Sequence, residues 1–329
     1  MDHLRGSWMG VHPPATVRRH HRRAVAAVPK RGRRWRPAAV AGFAALLIAA
    51  TGCTHHPAQA QKLTTDPVLV VAGDIACSPS NTVDICEDDV TADLVEAQHP
   101  TTVVAAGDLQ YENGSLPEFQ QAYDKTWGRF KSITKPAVGN HEYRTANAQG
   151  FRDYWGKSST QKLYGGFERG AWKIYILDSN CTIVSCAAQA DYLRRDQAAD
   201  PHKCVMAVWH HPLYASSVEH SGDAAVRPLW DALYAARADV IVNGHGHVSA
   251  IWEKLTPSGV RASNGIKEFE SGGGGKNHHT LRAFDSRIDG TKRFNDVSAV
   301  LRFDLHATSY DYRYVTPKGD RFADTRACV

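Results

Sequence analysis

Short apolar runs recur along the chain, and each stops at small, polar or charged residues. PVLVVAGD at 67–74, TTVVAAGD at 101–108, KPAVGNHE at 135–142, WKIYILDS at 172–179, CVMAVWHH at 204–211 and DVIVNGHGH at 239–247 share this form. Runs so short, and apolar on both faces, predict buried strands. Segments with helical spacing lie between them, at 87–98 and 223–238. Ser115-Leu116-Pro117-Glu118 is a capping-box start with proline in the first turn, and Phe119, Tyr123, Trp127 and Phe130 follow on one helical face. The tail alternates instead: SAVLRFDLH at 298–306 and SYDYRYV at 309–315 predict antiparallel strands. Strands that alternate with helices and then give way to strands predict a layered α/β domain with a mixed sheet.

The first 66 residues follow another pattern. Basic residues crowd up to Arg36, then an apolar stretch of about a dozen residues ends in small ones (PAAVAGFAALLIAATGC). This is the grammar of an export signal. The stretch is shorter than the ~20 apolar residues a bilayer span needs. Two ends compete for it. Ala50-Thr51-Gly52-Cys53 resembles a lipobox whose cysteine is lipidated, and Ala58-Gln59-Ala60 is an A-x-A cut site. Lipidation of Cys53 is the favoured expectation, with anchoring to an outer membrane leaflet. Cleavage after Ala60 would give a secreted protein. The expected organisation is an export signal at 1–53, a linker at 54–66 and one catalytic domain at 67–329.

Charge changes the picture once the leader is set apart. The formal net charge of the 329 residues is +5, from 39 Lys/Arg and 34 Asp/Glu. Residues 1–52 hold ten of the basic residues and one acid, so the remainder is −4 (29 against 33). The body offers no basic patch, and no nucleic-acid partner is expected. Of the seven cysteines, six remain once Cys53 is set aside. An even number in an exported chain predicts three disulfides, with 15 possible pairings. Local spacing favours Cys77–Cys86 and Cys181–Cys186, leaving Cys204–Cys328.

Candidate chemistry gathers where the runs stop. The first run ends in Asp74, the second in Asp108, the third in Asn140-His141, the fifth in His210-His211 and the sixth in His245 and His247. Sites in α/β folds collect at the carboxyl ends of strands. Carboxylate, amide oxygen and imidazole suit borderline-hard cations, and one metal needs only three or four protein ligands. Six or seven predict two metals ~3.5–4 Å apart with one carboxylate bridging them.

The blocks Gly73-Asp74, Gly107-Asp108, Gly139-Asn140-His141-Glu142, His210-His211-Pro212 and Gly244-His245-Gly246-His247 together resemble the calcineurin-like metallophosphoesterases. The resemblance implies a four-layer sandwich, two mixed β-sheets flanked by helices. Most of that superfamily carries D-x-H in the first block, but here it reads Asp74-Ile75-Ala76. Tyr111, three residues after Asp108, resembles the iron-ligating tyrosine of purple acid phosphatases. By that resemblance Asp74, Tyr111 and His247 hold Fe(III), and Asn140, His210 and His245 hold Zn, Mn or Fe(II). Asp108 bridges, and His211 sits behind the metals or on the lid side. His141 is the first candidate for general acid and His220, ten residues after His210, the second. Glu142 orients His141 or caps its loop.

The implied reaction is hydrolysis of a small phosphate monoester by attack of a metal-bound hydroxide. A phosphodiesterase of the same fold, acting on nucleotides, nucleic acid or lipid headgroups, is the alternative. A non-catalytic metal- or phosphate-binding lipoprotein is a distant third. The run Gly272-Gly273-Gly274-Gly275-Lys276-Asn277-His278-His279 fails the phosphate-loop pattern, because Asn277 follows the lysine. It is expected to be a flexible loop near the metal centre, or a turn.

Overall fold

The computed structural model describes residues 66–329, so the expected leader, Cys53, Ala60 and most of the linker lie outside the described residues. Two sheets form the body. The parallel strands β1 (Val68–Ala72), β2 (Thr102–Ala106) and β3 (Thr134–Ala137) make one side of the first. The helices α1 (Asp88–Ala97), α2 (Leu116–Gln121) and α3 (Gln149–Trp155) belong to this half. The second sheet takes β4 (Gly165–Arg169), β5 (Trp172–Ile176), β6 (Cys204–Val208) and β7 (Val240–Asn243), with α4 (Cys186–Ala199) and α5 (Arg227–Ala235). β8 (Ser249–Leu255), β9 (Ile266–Ser271) and β10 (Ile288–Phe294) complete it, in the order β10-β8-β9-β7-β6-β5-β4. The chain then returns to the first sheet through β11 (Val300–Leu305), β12 (Ser309–Val315) and β13 (Arg321–Ala327), in the order β13-β12-β11-β1-β2-β3. Each sheet is therefore mixed, with a parallel block beside antiparallel strands.

Period-two alternation sorts the apolar runs between layers. Leu69, Val71, Val104 and Ala106 face the second sheet and meet Ile174, Met206, Val208, Val242 and Phe269. Their neighbours Val70, Ala72, Val103 and Ala105 face outward onto Val95, Phe119 and Trp127. Val205, Ala207 and Ile241 pack outward on Leu193, Leu229 and Leu233 of α4 and α5. Central strands buried on both faces explain why their sequences read as unbroken apolar runs.

One expected helix is broken. The capping box forms, with Ser115 Oγ accepting from Glu118 N and Glu118 Oε2 accepting from Ser115 N. Yet α2 stops at Gln121, and two 3-10 stretches follow at Tyr123–Lys125 and Trp127–Ile133. The side chain of Gln110 takes the Tyr123 amide proton at 2.9 Å, which draws that N–H out of the helical ladder. Phe119, Tyr123, Trp127 and Phe130 remain buried all the same. The expected third strand is also shorter, ending at Ala137 before the polar residues.

Three disulfides join Cys77 to Cys86, Cys181 to Cys186 and Cys204 to Cys328. The last fastens the chain's end to the first residue of β6. No helix among the described residues is long and apolar enough to cross a membrane.

Candidate metal centre

The parallel strands of both sheets point their carboxyl ends at one spot. Asp74 follows β1, Asp108 and Tyr111 follow β2, Asn140 and His141 follow β3, His210 follows β6, and His245 and His247 follow β7. Four of these adopt left-handed backbone: Asp74 (φ 59°), Asp108 (47°), His245 (72°) and His247 (49°). Such conformations cost on the order of 1–3 kcal/mol each and persist where the surroundings enforce them. The enforcing bonds are visible. His245 N donates to Asp74 Oδ2 at 2.7 Å, and His141 N donates to Asp108 Oδ1 at 2.9 Å. Gly139 is required for the second approach, because a Cβ there would stand 2.1 Å from Asp108 Oδ1.

The donor atoms fall into two groups that share Asp108. Tyr111 Oη lies 2.9 Å from Asp74 Oδ1, 2.9 Å from His247 Nε2 and 3.2 Å from Asp108 Oδ2. On the other side His210 Nε2 lies 3.2 Å from the same Asp108 Oδ2, 3.1 Å from Asn140 Oδ1 and 3.2 Å from His245 Nδ1. All seven residues expected to ligate metal are thus brought together, in the two sets expected.

The tautomers sharpen the point. His247 Nδ1 lies 2.7 Å from the carbonyl of Asn277, and His210 Nδ1 lies 3.0 Å from that of Ala106. A neutral imidazole that donates to a carbonyl through Nδ1 presents a lone pair at Nε2. Those lone pairs face carboxylate, phenol and amide oxygens, so the cluster is rich in acceptors and short of positive charge. Without a cation, protons must fill the gap. Burial pushes Asp74 up to about 8. Burial opposes a proton on His210, but the Asp108 and Asp74 carboxylates outweigh it and hold that imidazole at about 9. Burial pushes Tyr111 well above 10, with Asp108 and Asp74 adding to it. The donor set fits two cations: seven donors exceed what one ion takes, and oxygen and imidazole match the expected metals.

The surrounding residues hold these donors or reach past them. Glu142 is fully buried and caps both loops, accepting from Gly139 N (2.7 Å), Leu109 N (2.8 Å), Asp108 N (3.1 Å) and Gln110 N (3.2 Å). His141 fixes Nδ1 on the Glu112 carbonyl at 2.6 Å, leaving Nε2 3.2 Å from Arg144 and 3.9 Å from Asp108. His211 turns Nδ1 to Ser179 Oγ at 2.9 Å, while its ring packs 4.5 Å from that of His245. His220 lies with its ring centroid 4.1 Å from His245, on the wall of a cavity of about 310 Å³ over the cluster.

Other residues of that wall were given no individual role from the sequence. His279 stacks flat on His247 at 4.0 Å, and Arg144 and Lys276 bring positive charge. Lys276 Nζ is tied to Asp84 Oδ2 (2.7 Å) and Glu112 Oε1 (3.0 Å) and stands 4.9 Å from the centre of the Tyr111 ring. The glycine-rich run lies at the site as expected, but it is pinned rather than loose. Gly272 N, Gly274 N and Lys276 N donate to Val248, Gly73 and Asp74 carbonyls at 3.0 Å. Gly274 allows this, since a Cβ there would meet the Gly73 carbonyl oxygen at 2.2 Å. The signal in the sequence was the glycine run itself, which marks close backbone approach rather than flexibility.

Two solved structures share the fold. A purple acid phosphatase from yellow lupin (Lupinus luteus) seeds superposes with a TM-score of 0.63 at 14% identity, covering 79% of this chain and 53% of the phosphatase. The chain therefore spans about half the length of that protein. GAP50, the anchor in the inner membrane complex of Plasmodium, gives a TM-score of 0.56 at 13% identity, covering 80% of this chain and 90% of GAP50. No curated protein sequence matches significantly. A family model does: that of the calcineurin-like phosphoesterases matches residues 46–249, more than half of the chain and every candidate ligand. The chain belongs to the calcineurin-like phosphoesterase family, whose chemistry is metal-dependent hydrolysis of phosphate esters.

Proposed function

We propose that the protein is an exported two-metal phosphatase that hydrolyses small phosphate monoesters, of the purple acid type. The observation that carries this reading is the Tyr111 phenol oxygen. It lies within hydrogen-bond distance of Asp74, Asp108 and His247, where a tyrosine ligand to ferric iron belongs. Asp74, Tyr111 and His247 would hold Fe(III). Asn140, His210 and His245 would hold Zn, Mn or Fe(II), with Asp108 between the two. When bound, the cations supply charge that polarises a water and the phosphoryl oxygens.

The chain's own groups do the rest. Arg144 lines the cavity and attracts the phosphoryl oxygens, while the Lys276 charge is held by Asp84 and Glu112. His141 has Nδ1 fixed by the Glu112 carbonyl and lines the cavity; with Nε2 also protonated, and so released from the Arg144 guanidinium 3.2 Å away, it hands a proton to the leaving oxygen. His220, on the cavity wall beside His245 and His279, is the second donor. Glu142 takes no proton-transfer role, because all its contacts are spent on loop amides. The three disulfides support export, since such bonds persist in oxidising compartments. Lipidation at Cys53 or cleavage after Ala60 then decides between an anchored and a free form.

The test pairs a visible absorption spectrum of the metal-loaded protein, with iron quantified, with kcat/KM on p-nitrophenyl phosphate and bis(p-nitrophenyl) phosphate. A tyrosinate-to-ferric band and preference for the monoester support the reading. A colourless, iron-free protein that prefers the diester replaces it with a phosphodiesterase of the same fold.

A further inference from the structure

A larger cavity, about 910 Å³, lies beside the metal centre, on the far side of one loop. The loop is 215–222. His220 faces the metal cavity, while Val218 and Ser221 face the larger one. The loop is held by the segment after the glycine run. Val218 N donates to the Thr280 carbonyl at 2.8 Å, and Arg282 N donates to that of Ser216 at 2.7 Å. The two cavities are thus separated by a single thickness of chain.

Three arginines enter the larger cavity. Arg287 is spent: its guanidinium grips Asp285 at 2.6–3.1 Å and lies over Tyr214 and Trp252. Arg282 and Arg293 are not. Arg282 donates to the Ser217 carbonyl, and Arg293 to the carbonyls of residues 282 and 283 at 3.0 and 3.2 Å. Neither makes an ion pair with a carboxylate among the described residues. Two full positive charges therefore face a cavity in a body whose net charge is −4. The ground between the sites is uncovered and partly apolar, with the Glu219 carboxylate turned onto Thr280 N (3.0 Å) and Ser217 Oγ (3.2 Å). Val218 on the dividing loop is 55% exposed, and Phe284 beside the arginines is 63% exposed.

We propose that this cavity is a second phosphoryl subsite. The substrate it fits carries one phosphate for the metal centre and a second phosphate at the far end of an apolar or aromatic spacer. The spacer crosses Val218, and the distal phosphate is gripped by Arg282 and Arg293, whose forked donors match a phosphoryl group. This deepens the phosphatase reading and rests on it for the first phosphate.

The experiment measures binding rather than turnover. The metal-loaded protein is titrated calorimetrically with alkane-α,ω-diyl bisphosphonates of roughly four to ten carbons, and with the matching alkyl monophosphonates. Phosphonates are not hydrolysed, so a failed phosphatase reading and a failed subsite are seen separately. For at least one spacer the two-headed ligand binds about tenfold tighter than its one-headed partner, and Arg282→Gln or Arg293→Gln shrinks that ratio to about twofold. The one-headed ligand checks that each variant is folded, and either variant alone decides the matter. A ratio of about two at every spacer length, which is the statistical value for two heads, overturns the proposal. So does a tenfold ratio that survives both substitutions.

Discussion

The phenol oxygen of Tyr111 stands 2.9 Å from Oδ1 of Asp74, a residue 37 positions earlier in the chain. Both are buried, and burial with the two carboxylates keeps the Tyr111 hydroxyl protonated well above its usual range. A cation must displace that proton to gain a phenolate. The iron-loaded protein should therefore show a visible charge-transfer band that the metal-free protein lacks at the same pH. Tyr111→Phe removes one oxygen from a ring that stays packed, so the metal-free thermal midpoint should barely move. The band should vanish and iron affinity should fall by about tenfold or more. An unchanged spectrum in the variant would take Tyr111 out of the site.

Glu142 accepts four backbone amides drawn from the loops after β2 and β3, and so spans both halves of the centre. Glu142→Ala leaves those buried donors without a partner. The expected cost is about 3 kcal/mol or more, a fall in thermal midpoint of roughly 6–12 °C for a domain of this size. Metal affinity should drop with it, because Asp108 and Asn140 lose their frame. Scanning calorimetry of the metal-free and metal-loaded variant checks both, and a shift of under about 2 °C would show that water replaces the carboxylate.

The buried centre also sets how stability follows pH. In the metal-free protein Asp74 is raised to about 8 and Glu142 to about 7, each chiefly by burial, and the carboxylates hold His210 at about 9 against its burial. All three bind protons in the folded state that the unfolded chain has released above pH ~6.5. Their stabilising contribution is present at low pH and is lost as pH climbs through the folded values. His245 and His247 are pushed down chiefly by burial, and they act only below about 6.5, in the opposite sense. The chelated protein should therefore lose thermal midpoint steadily from pH 6.5 to 9. Bound cations replace the Asp74 and His210 protons, so the loaded protein should lose much less. Parallel slopes would mean the cluster is not where the metals bind.

In the proposed reaction His141 is the general acid and carries the pH dependence of turnover. Burial lowers its imidazole below 6.5, and Arg144 adds to this while Asp108 and the Glu112 carbonyl oppose it. A general acid works only while protonated, so its lowered value in the free enzyme sets the alkaline limb of kcat/KM below pH 6.5. His141→Asn should cut kcat by 10²–10⁴-fold, change KM by far less, and remove that limb. A limb that survives the substitution would pass the role to His220.

What could be read from sequence alone divides by physics. Six of the seven candidate ligands stood out because they end apolar runs, and such runs are buried strands whose carboxyl ends meet; Tyr111 ends no run and was legible only by its resemblance to a phosphatase tyrosine three residues after the bridging aspartate. The same runs defined β1, β2, β5, β6 and β7 within a few residues. β4 and β13 carry exposed residues at alternate positions and few apolar ones, so nothing in GGFER or RFADTRA marked them as strands. Lys276 and His279 were visible as residues but not as neighbours of Tyr111 and His247. Their placement depends on Gly274 nesting against Gly73, a contact between segments some two hundred positions apart. Arg282 and Arg293 were ordinary surface arginines until β10 folded back beside the loop at 215–222.

The disulfides divide by the loops they close. Cys204–Cys328 spans 124 positions and Cys181–Cys186 only 5, with the same Cα separation of 5.3 Å. If the bonds act by restricting the unfolded chain, the long loop is worth about 5 kcal/mol and the short one about 2. Cys204 is also the first residue of β6, and the main chain of Val329 donates to Asp239 Oδ1 at 2.7 Å, so the bond keeps the chain's end docked on the second sheet. Replacing both Cys204 and Cys328 by Ala should therefore lower the denaturant midpoint markedly more than replacing Cys181 and Cys186. Neither pair touches the metal cluster, so kcat at a temperature where the variants remain folded should be unchanged. Equal midpoints for the two double variants would mean that loop entropy does not govern these bonds, and that the C-terminal segment stays docked through its hydrogen bonds to β12 and Asp239.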